Sequence, residues 1–193
     1  MKEENSFQQK KKSKFKELVV TISGLHGTGK STQALKLADY FGLRYISAGT
    51  IFREMARERE ISLEEMLKIA EADPAVDRAL DNRTREESLK RGVVIDASLS
   101  AWMAVNPDIK ILLTAPLKAR VKRIANRERL AEEEALRRTL EREESDKKRY
   151  KEYYKIDIND TSIYDVVLNT ELFSPDSTAR ILKKIVEEYS RSR

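Results

Sequence analysis

The segment Gly24-Leu25-His26-Gly27-Thr28-Gly29-Lys30-Ser31 decides the fold of this chain. It fits the pattern of Gly, four residues, Gly, Lys and Ser or Thr, whose glycines let a backbone wrap closely around a phosphate. An apolar, β-branched run at 18–23 precedes it and predicts a buried parallel strand. The run from Ser31 to Phe41 follows it, with apolar residues at helical spacing. A strand, a glycine-rich loop and a helix in this order predict a phosphate-binding loop, or P-loop.

The residue types of the P-loop indicate how it would hold a nucleotide. Its backbone N–H groups, beside the N-terminus of a helix, would donate to phosphate oxygens. Lys30 would reach the β- and γ-phosphates, and the Ser31 hydroxyl would ligate Mg²⁺. The residues predicted to bind ATP are Gly24, Leu25, His26, Gly27, Thr28, Gly29, Lys30, Ser31 and Thr32. The loop alone leaves open whether the protein is a kinase, a GTPase or a motor.

The composition limits the classes of protein to consider. A chain of 193 residues is long enough for one domain with a substantial core. With no cysteine and one histidine, disulfides and a zinc site are excluded. No apolar run reaches membrane-spanning length and the N-terminus is too polar for a signal peptide, so we expect a cytoplasmic protein without membrane contact. The net charge of +5 suits nucleic acid or polyanionic small substrates such as nucleotides.

The basic excess is concentrated before the first strand. Five lysines stand there, at positions 10, 11, 12, 14 and 16. We predict that residues 1–16 form a solvated, disordered tail, with contact to nucleic acid or a partner as the alternative. Residues 17–193 are predicted to form a single domain.

Apolar strands alternate with helical segments along that domain. The strands are predicted at 18–23, 43–47, 93–96, 109–113 and 163–168. This order predicts an α/β fold in three layers, a five-stranded parallel sheet with helices on both faces. Ligands bind at the carboxyl ends of such strands, which is where both the P-loop and Asp96 fall.

Two helical insertions exceed what a nucleotide-binding core needs. The first, at about 50–91, contains a capping box at Ser62 and Glu65 and a helix that starts at Pro74. The second, at about 116–158, is heavily charged. We expect the first to be an arm that binds a phosphate acceptor, and the second to be a closing lid.

Further motifs follow the P-loop in a fixed order. They are ISAGTIFR at 46–53, ADPAVDR at 72–78, APL at 115–117 with Arg120 and Arg123, REES at 142–145 with Arg149 and Tyr150, and YKIDIND at 154–160. From Leu18 to Tyr189 the chain resembles the nucleoside monophosphate kinases, specifically the archaeal type of cytidylate (CMP) kinase. The resemblance implies a P-loop kinase fold and Mg²⁺-dependent transfer of phosphate from ATP to CMP or dCMP. It also implies a monomer, and we do not expect nucleic acid as a partner.

The resemblance also implies roles for individual residues. The acceptor-binding residues would be Ser47, Arg53, Asp77, Arg78, Arg83 and Asp96, with Ser47 and Arg53 at the phosphate and Asp77, Arg78 and Arg83 at the base. Asp96 would also order Mg²⁺ through water, beside the direct ligand Ser31. The catalytic residues would be Lys30, Arg123, Arg142 and Arg149. Arg142 and Arg149 are spaced to lie two turns apart on one helical face.

The chain departs from the family pattern where the acceptor would bind. Asp96-Ala97-Ser98 replaces Asp-Gly-Arg, and Thr50 and Lys155 stand where Asp and Gly are common. His26 replaces an apolar residue of the P-loop. Two alternatives therefore stay open. One is a P-loop kinase for AMP, UMP or a small metabolite, and the other is an ATP-binding, kinase-like protein that acts with nucleic acid.

Overall fold

The computed structural model describes residues 15–192, in which strands and helices alternate. The strands are β1 (Val19–Ser23), β2 (Arg44–Ser47), β3 (Val93–Asp96), β4 (Ile109–Thr114) and β5 (Val166–Asn169). The helices are α1 (Lys30–Phe41), α2 (Ala48–Glu58), α3 (Leu63–Ala72), α4 (Pro74–Leu89), α5 (Ser100–Met103), α6 (Leu117–Glu128), α7 (Glu132–Tyr154) and α8 (Pro175–Arg191).

The strands form one five-stranded sheet in the order β2-β3-β1-β4-β5, and every adjacent pair is parallel. This confirms the predicted sheet. The register sets Ser47 of β2 opposite Asp96 of β3, and Asp96 opposite Ile22 of β1. The carboxyl ends of β1, β2 and β3 therefore meet at one edge, which brings the P-loop, Ser47 and Asp96 together.

Apolar layers lie on both faces of the sheet. On one face, side chains of β1, β3 and β4 pack with Leu37 and Phe41 of α1 and with Leu182 and Val186 of α8. On the other face, Val19, Val93 and Ile95 form a smaller cluster, next to α4 and α5. Strands β1 and β3 are buried along their whole length, as expected for the interior of a parallel sheet. The result is the predicted three-layer α/β fold.

The two insertions form helical units with small cores of their own. In the first, α2, α3 and α4 enclose Ala56, Met66, Ala70 and Val76. In the second, α6 and α7 pack around Val121, Ile124, Ala125 and Ala135. The Ser62–Glu65 capping box and the start of α4 at Pro74 are both present as predicted. These units cover the ranges predicted for an acceptor arm and a lid, and those roles stay predictions.

Tertiary contacts account for the differences from the predicted elements. Strand β5 begins at Val166 rather than at 163, since Tyr164 lies in a turn and stacks edge-on against Trp102, with 5.4 Å between ring centres. The short helix α5 was not predicted. Phe15, which the prediction included in the tail, is instead buried against Phe41, with 4.6 Å between their rings. The rest of that tail, residues 1–14, lies outside the described residues.

Within residues 15–192, no helix is long and apolar enough to cross a membrane.

Candidate active site

The backbone of the P-loop makes close contacts that only glycine permits. A Cβ atom at Gly24 would lie 2.3 Å from the carbonyl oxygen of Leu113, and one at Gly27 would lie 2.8 Å from that of Arg120. Gly29 has a φ of +91° but faces open space among the described residues. Gly24 and Gly27 therefore let the loop pack on β4 and α6, whereas Gly29 leaves room in front of the loop.

Lys30 folds back over the loop from the first turn of α1. Its Nζ donates to the carbonyl oxygen of Leu25 at 3.0 Å, and the Thr28 hydroxyl donates to the same oxygen at 2.8 Å. Burial lowers the pKa of Lys30, while the charge of Asp96 opposes this and that of Arg142 reinforces it. The ammonium group is thus held within the loop, at the position where a phosphate would bind.

Two arginines of α6 donate hydrogen bonds to backbone carbonyl groups of the P-loop. Arg120 donates to the carbonyl oxygens of His26 and Ala115, each at 3.1 Å, and forms an ion pair with Glu143 of α7. Arg123 donates to the carbonyl oxygen of Gly27 at 3.2 Å. It also contacts Thr170, with 2.9 Å to both the carbonyl and the hydroxyl oxygen. Arg123 was predicted to be catalytic, and its guanidinium group here supports the loop backbone.

Ser31 and Asp96 form a site whose chemistry fits Mg²⁺. The Ser31 hydroxyl donates to Asp96 Oδ2 at 2.5 Å. Asp96 is only 3% exposed, and within residues 15–192 it forms no ion pair with lysine or arginine. The charge of Lys30 acts on this carboxylate without direct contact, and hydroxyl and carboxylate oxygens are ligands that Mg²⁺ accepts. No cluster of three acidic or histidine side chains occurs in the described part of the chain.

The predicted acceptor-phosphate residues meet at the start of α2. Ser47 precedes the helix, and its side chain makes no capping hydrogen bond. Arg53 is exposed and donates to Thr50 Oγ1 at 3.0 Å. A Cβ atom at Gly49 would lie 3.5 Å from Arg53 Nη1 and 3.7 Å from Ser47 Oγ, so both side chains flank that glycine. An unsatisfied helix N-terminus with an adjacent guanidinium favours a bound phosphate.

A series of polar contacts joins the first insertion, the second insertion and the P-loop. Arg149 of α7 is buried and donates to Asp77 of α4 at 2.9 Å and to Asp146 at 2.6 Å. The other carboxylate oxygen of Asp146 lies 3.0 Å from His26 Nε2. Asp77 was predicted to read the base and Arg149 to be catalytic, and the structure pairs them with each other. Helices α4 and α7 are thereby fixed to the loop.

His26 takes part in this series of polar contacts as a neutral hydrogen-bond donor. Burial lowers its pKa to about 4, against the hydrogen bond with Asp146, while Arg142 and Lys30 lower it further. Burial disfavours the charged form of Asp146, yet the hydrogen bond from His26 and the nearby arginines keep its pKa below the ordinary value. An ionised carboxylate can only accept, so Nε2 carries the proton of the imidazole.

Comparison with known proteins places the chain in a family. Residues 19–172 match the family model described as the cytidylate kinase-like family.

The chain belongs to the cytidylate kinase-like family.

Curated relatives agree with this assignment over most of the chain. A protein named cytidylate kinase from Staphylothermus marinus is 51% identical over 173 residues, covering 89% of this chain and 98% of the relative. One of the same name from Pyrococcus horikoshii is 45% identical, covering 89% of each chain. Another, from Methanopyrus kandleri, is 45% identical and covers 88% of this chain and 93% of the relative.

Solved structures agree with the fold. A shikimate kinase from Acinetobacter baumannii superposes with a TM-score of 0.58 at 16% identity, covering 92% of this chain and 98% of that one. A gluconokinase from Sinorhizobium meliloti gives a TM-score of 0.60 at 12% identity, covering 92% and 95%. At such low identity the likeness concerns only the architecture, which is that of P-loop kinases.

In this cytidylate kinase-like chain, the remaining predicted arginines differ in their surroundings. Arg142 is exposed on α7, and its positive charge lowers the pKa of His26 and of Lys30, which means that it lies near the P-loop. Arg78 is exposed on α4. Arg83 is exposed and pairs with Glu87 of its own helix at 3.6 Å. Of these three arginines, only Arg142 acts electrostatically on the P-loop side chains.

A small cleft opens between the P-loop and α7. Its lining includes Gly24, His26, Ser98, Asp146, Tyr150 and Tyr164. Ser98 stands where the family resemblance leads one to expect arginine, and it lines the cleft together with Tyr150. Two residues of the site were not predicted from the sequence: Asp146, which contacts His26, and Tyr45, whose hydroxyl contacts Asp96. For Asp146 a signal was available, because its spacing of three from Arg149 predicts a helical ion pair.

Proposed function

We propose that the protein transfers the γ-phosphate of ATP to CMP or dCMP, producing ADP and CDP or dCDP. The observation that supports this most directly is the meeting of two phosphate-binding features at one sheet edge. The P-loop with Lys30 provides one, and Ser47 with Arg53 provides the other. Membership of the cytidylate kinase-like family, and relatives that carry the name cytidylate kinase, support the choice of acceptor. They do not favour another acceptor or a role with nucleic acid.

The donor half would bind ATP through residues 24–32. The backbone N–H groups of the loop and the N-terminus of α1 would surround the β- and γ-phosphates, and Lys30 would contact them as a positive charge. Ser31 would hold Mg²⁺ directly and Asp96 would hold it through water. The ion would neutralise part of the charge on the transferred phosphoryl group.

The acceptor half would bind the monophosphate between the arm and the sheet. Arg53 and Ser47 would hold its phosphate, since a guanidinium fork matches two phosphate oxygens. Asp77, Arg78 and Arg83 remain our candidates for reading the base. The Asp77–Arg149 pair suggests that base contact requires rearrangement, because both side chains are engaged with each other.

The chemistry requires positioning rather than a strong protein base. An acceptor phosphate oxygen, already ionised near neutral pH, would attack the γ-phosphorus in line, and the bond from that phosphorus to the β–γ bridging oxygen would break as ADP leaves. Lys30, Arg142, Arg149 and Arg123 would stabilise the charge on the transferred group or hold the elements that do so. Movement of the 116–158 lid over the site would exclude water and suppress ATP hydrolysis.

An acceptor panel tests this proposal. ADP release is measured with CMP, dCMP, UMP, AMP and shikimate at equal concentrations, and CMP and dCMP should be preferred. The Lys30→Ala variant should lose transfer, whereas Lys36→Ala should keep it. Lys36 lies on the same helix, but its exposed side chain pairs with Asp176 of α8 at 2.9 Å. A strong preference for AMP, or near-normal turnover by Lys30→Ala, would contradict the proposal.

We propose in addition that the protein acts as a monomer in the cytoplasm, as the resemblance implies. Light scattering coupled to size exclusion would test the first point, with a mass near 22.3 kDa expected. Fractionation of the source cells would test the second.

A further inference from the structure

Tyr45 lies between the two halves of the proposed site. It stands on β2 two residues before Ser47, and its hydroxyl donates to Asp96 Oδ2 at 3.1 Å. The same oxygen accepts the hydrogen bond from Ser31 at 2.5 Å. One carboxylate oxygen therefore receives one hydroxyl from the P-loop side and one from the acceptor side.

The Tyr45 hydroxyl is the donor in its contact with Asp96, because a carboxylate oxygen accepts. Tyr45 and Ser47 are two residues apart on β2, so their side chains lie on the same face of the sheet. Tyr45 does not belong to the family motifs quoted above.

Asp96 depends on these hydroxyls for its orientation. It is buried and forms no ion pair within residues 15–192, and both of its side-chain hydrogen bonds come from Tyr45 and Ser31. The two donors differ in what else they do. Ser31 would share its oxygen with the metal, and its position would depend on the state of the P-loop. Tyr45 belongs to a sheet strand, so it holds Asp96 independently of the loop.

We propose that Tyr45 is a positioning residue, which orients Asp96 toward Mg²⁺–ATP from the strand that also carries Ser47. This inference rests on the proposed Mg²⁺–ATP site, but not on the identity of the acceptor. Outer-shell partners of metal-binding groups commonly change metal affinity about 10-fold or more when they are removed.

The Tyr45→Phe variant removes the hydroxyl and keeps the ring, so it tests the hydroxyl alone. The ring packs against the main core cluster, and phenylalanine preserves that packing. Tyr40→Phe is the matched control, because the Tyr40 hydroxyl also donates to a carboxylate, that of Glu187 at 2.9 Å, on the exposed surface between α1 and α8.

The decisive measurement is the affinity for a non-hydrolysable ATP analogue, with and without Mg²⁺, by isothermal titration calorimetry. For Tyr45→Phe we expect the Kd without Mg²⁺ to stay within about twofold of wild type. The tightening produced by Mg²⁺, which is the ratio of the Kd without the ion to the Kd with it, should fall about 10-fold. Tyr40→Phe should behave as wild type in both titrations. Unchanged tightening in Tyr45→Phe, or an equal loss with and without Mg²⁺, would overturn the proposal.

A double-variant cycle distinguishes an effect of Tyr45 through Asp96 from a general loss of structure. Asp96→Asn should lose the Mg²⁺-induced tightening, and adding Tyr45→Phe in that background should cause no further loss, since Tyr45 would act through Asp96. A further loss of several-fold in the double variant would overturn the proposal. If wild type binds Mg²⁺–ATP and phosphorylates no CMP, the proposed function fails and the Tyr45 test is unaffected. If wild type phosphorylates CMP and Tyr45→Phe keeps full tightening, only the Tyr45 inference fails.

Discussion

Replacement of Arg120 should loosen the attachment of the P-loop to the second insertion. Arg120 is 5% exposed and donates to two backbone carbonyls and to Glu143. Arg120→Met keeps most of the length of the side chain and removes every one of these donors. The variant leaves the carboxylate of Glu143, whose side chain is 15% exposed, without its cationic partner.

The magnitude follows from the cost of an unpaired buried charge. Removal of one partner of a buried ion pair destabilises a protein by about 3 to 5 kcal/mol. Because the Glu143 side chain keeps some access to solvent, we expect the lower value, about 3 kcal/mol. For a domain of this size, about 1 kcal/mol corresponds to roughly 2 to 4 °C in Tm, so we expect a decrease of about 6 to 12 °C.

Thermal unfolding monitored by circular dichroism, together with urea titration, would measure this effect. Arg127→Met is the matched control on the same helix, because the Arg127 side chain is 66% exposed and pairs with the neighbouring Glu128. We expect it to change stability by less than about 0.5 kcal/mol. Adding Glu143→Leu to Arg120→Met should recover part of the loss, since the unpaired carboxylate is removed. A loss below about 1 kcal/mol in Arg120→Met, or no recovery in the double variant, would refute the reasoning.

Three further predictions concern the loop and the helix after it. The pKa of His26 is about 4 in the folded protein against 6.5 in the unfolded chain, so His26 should lower stability by up to about 3 kcal/mol as the pH decreases through this interval. Asp81, whose pKa is raised to about 6 by burial, acts in the opposite direction. The difference in stability between wild type and His26→Gln, from urea titrations across this pH range, should therefore show the His26 contribution. Gly24→Ala should lower Tm more than Gly29→Ala, because only the former places Cβ against backbone, whereas Gly29→Ala should mainly weaken binding of an ATP analogue. Arg129→Gly should raise stability by about 0.5 to 1 kcal/mol, because Arg129 has a φ of 56°, whereas Arg127→Gly within the helix should lower it by about 1 kcal/mol. If calorimetry showed that Arg129→Gly and Arg127→Gly change stability in the same direction, this last prediction would be contradicted.

The fold was largely predictable because its strands and helix starts carry local signals. β1 and β3 are continuous apolar runs, as interior strands of a parallel sheet should be. The N-cap residues Ser62 and Ser174, and Pro74 at the first position of its helix, also mark helix starts that the structure contains. The start of β5 was misplaced because the position of Tyr164 depends on its contact with Trp102, 62 residues earlier in the sequence.

The partners of the charged side chains were much less predictable. Arg120, Arg142 and Arg149 all belong to charged helices, and the local sequence does not indicate which of them is buried. In the structure Arg120 is buried against Glu143, Arg149 is buried against Asp77, and Arg142 is exposed. The difference depends on how α6 and α7 pack on the P-loop and on α4. Such contacts join residues 23 and 72 positions apart, for which a single sequence gives no signal.

The arginines behind the P-loop can act on ATP without touching it. Arg120 draws the carbonyl group of His26 toward α6, and Arg123 does the same to that of Gly27. In a trans peptide the carbonyl and the N–H group of the same unit point in opposite directions, and residues 15–192 contain no cis peptide. Drawing the His26 carbonyl backward therefore turns the Gly27 N–H toward the front of the loop, where a phosphate would accept it. Loss of Arg120 should then weaken ATP binding through the orientation of this peptide, even where the substituted side chain never contacts the nucleotide.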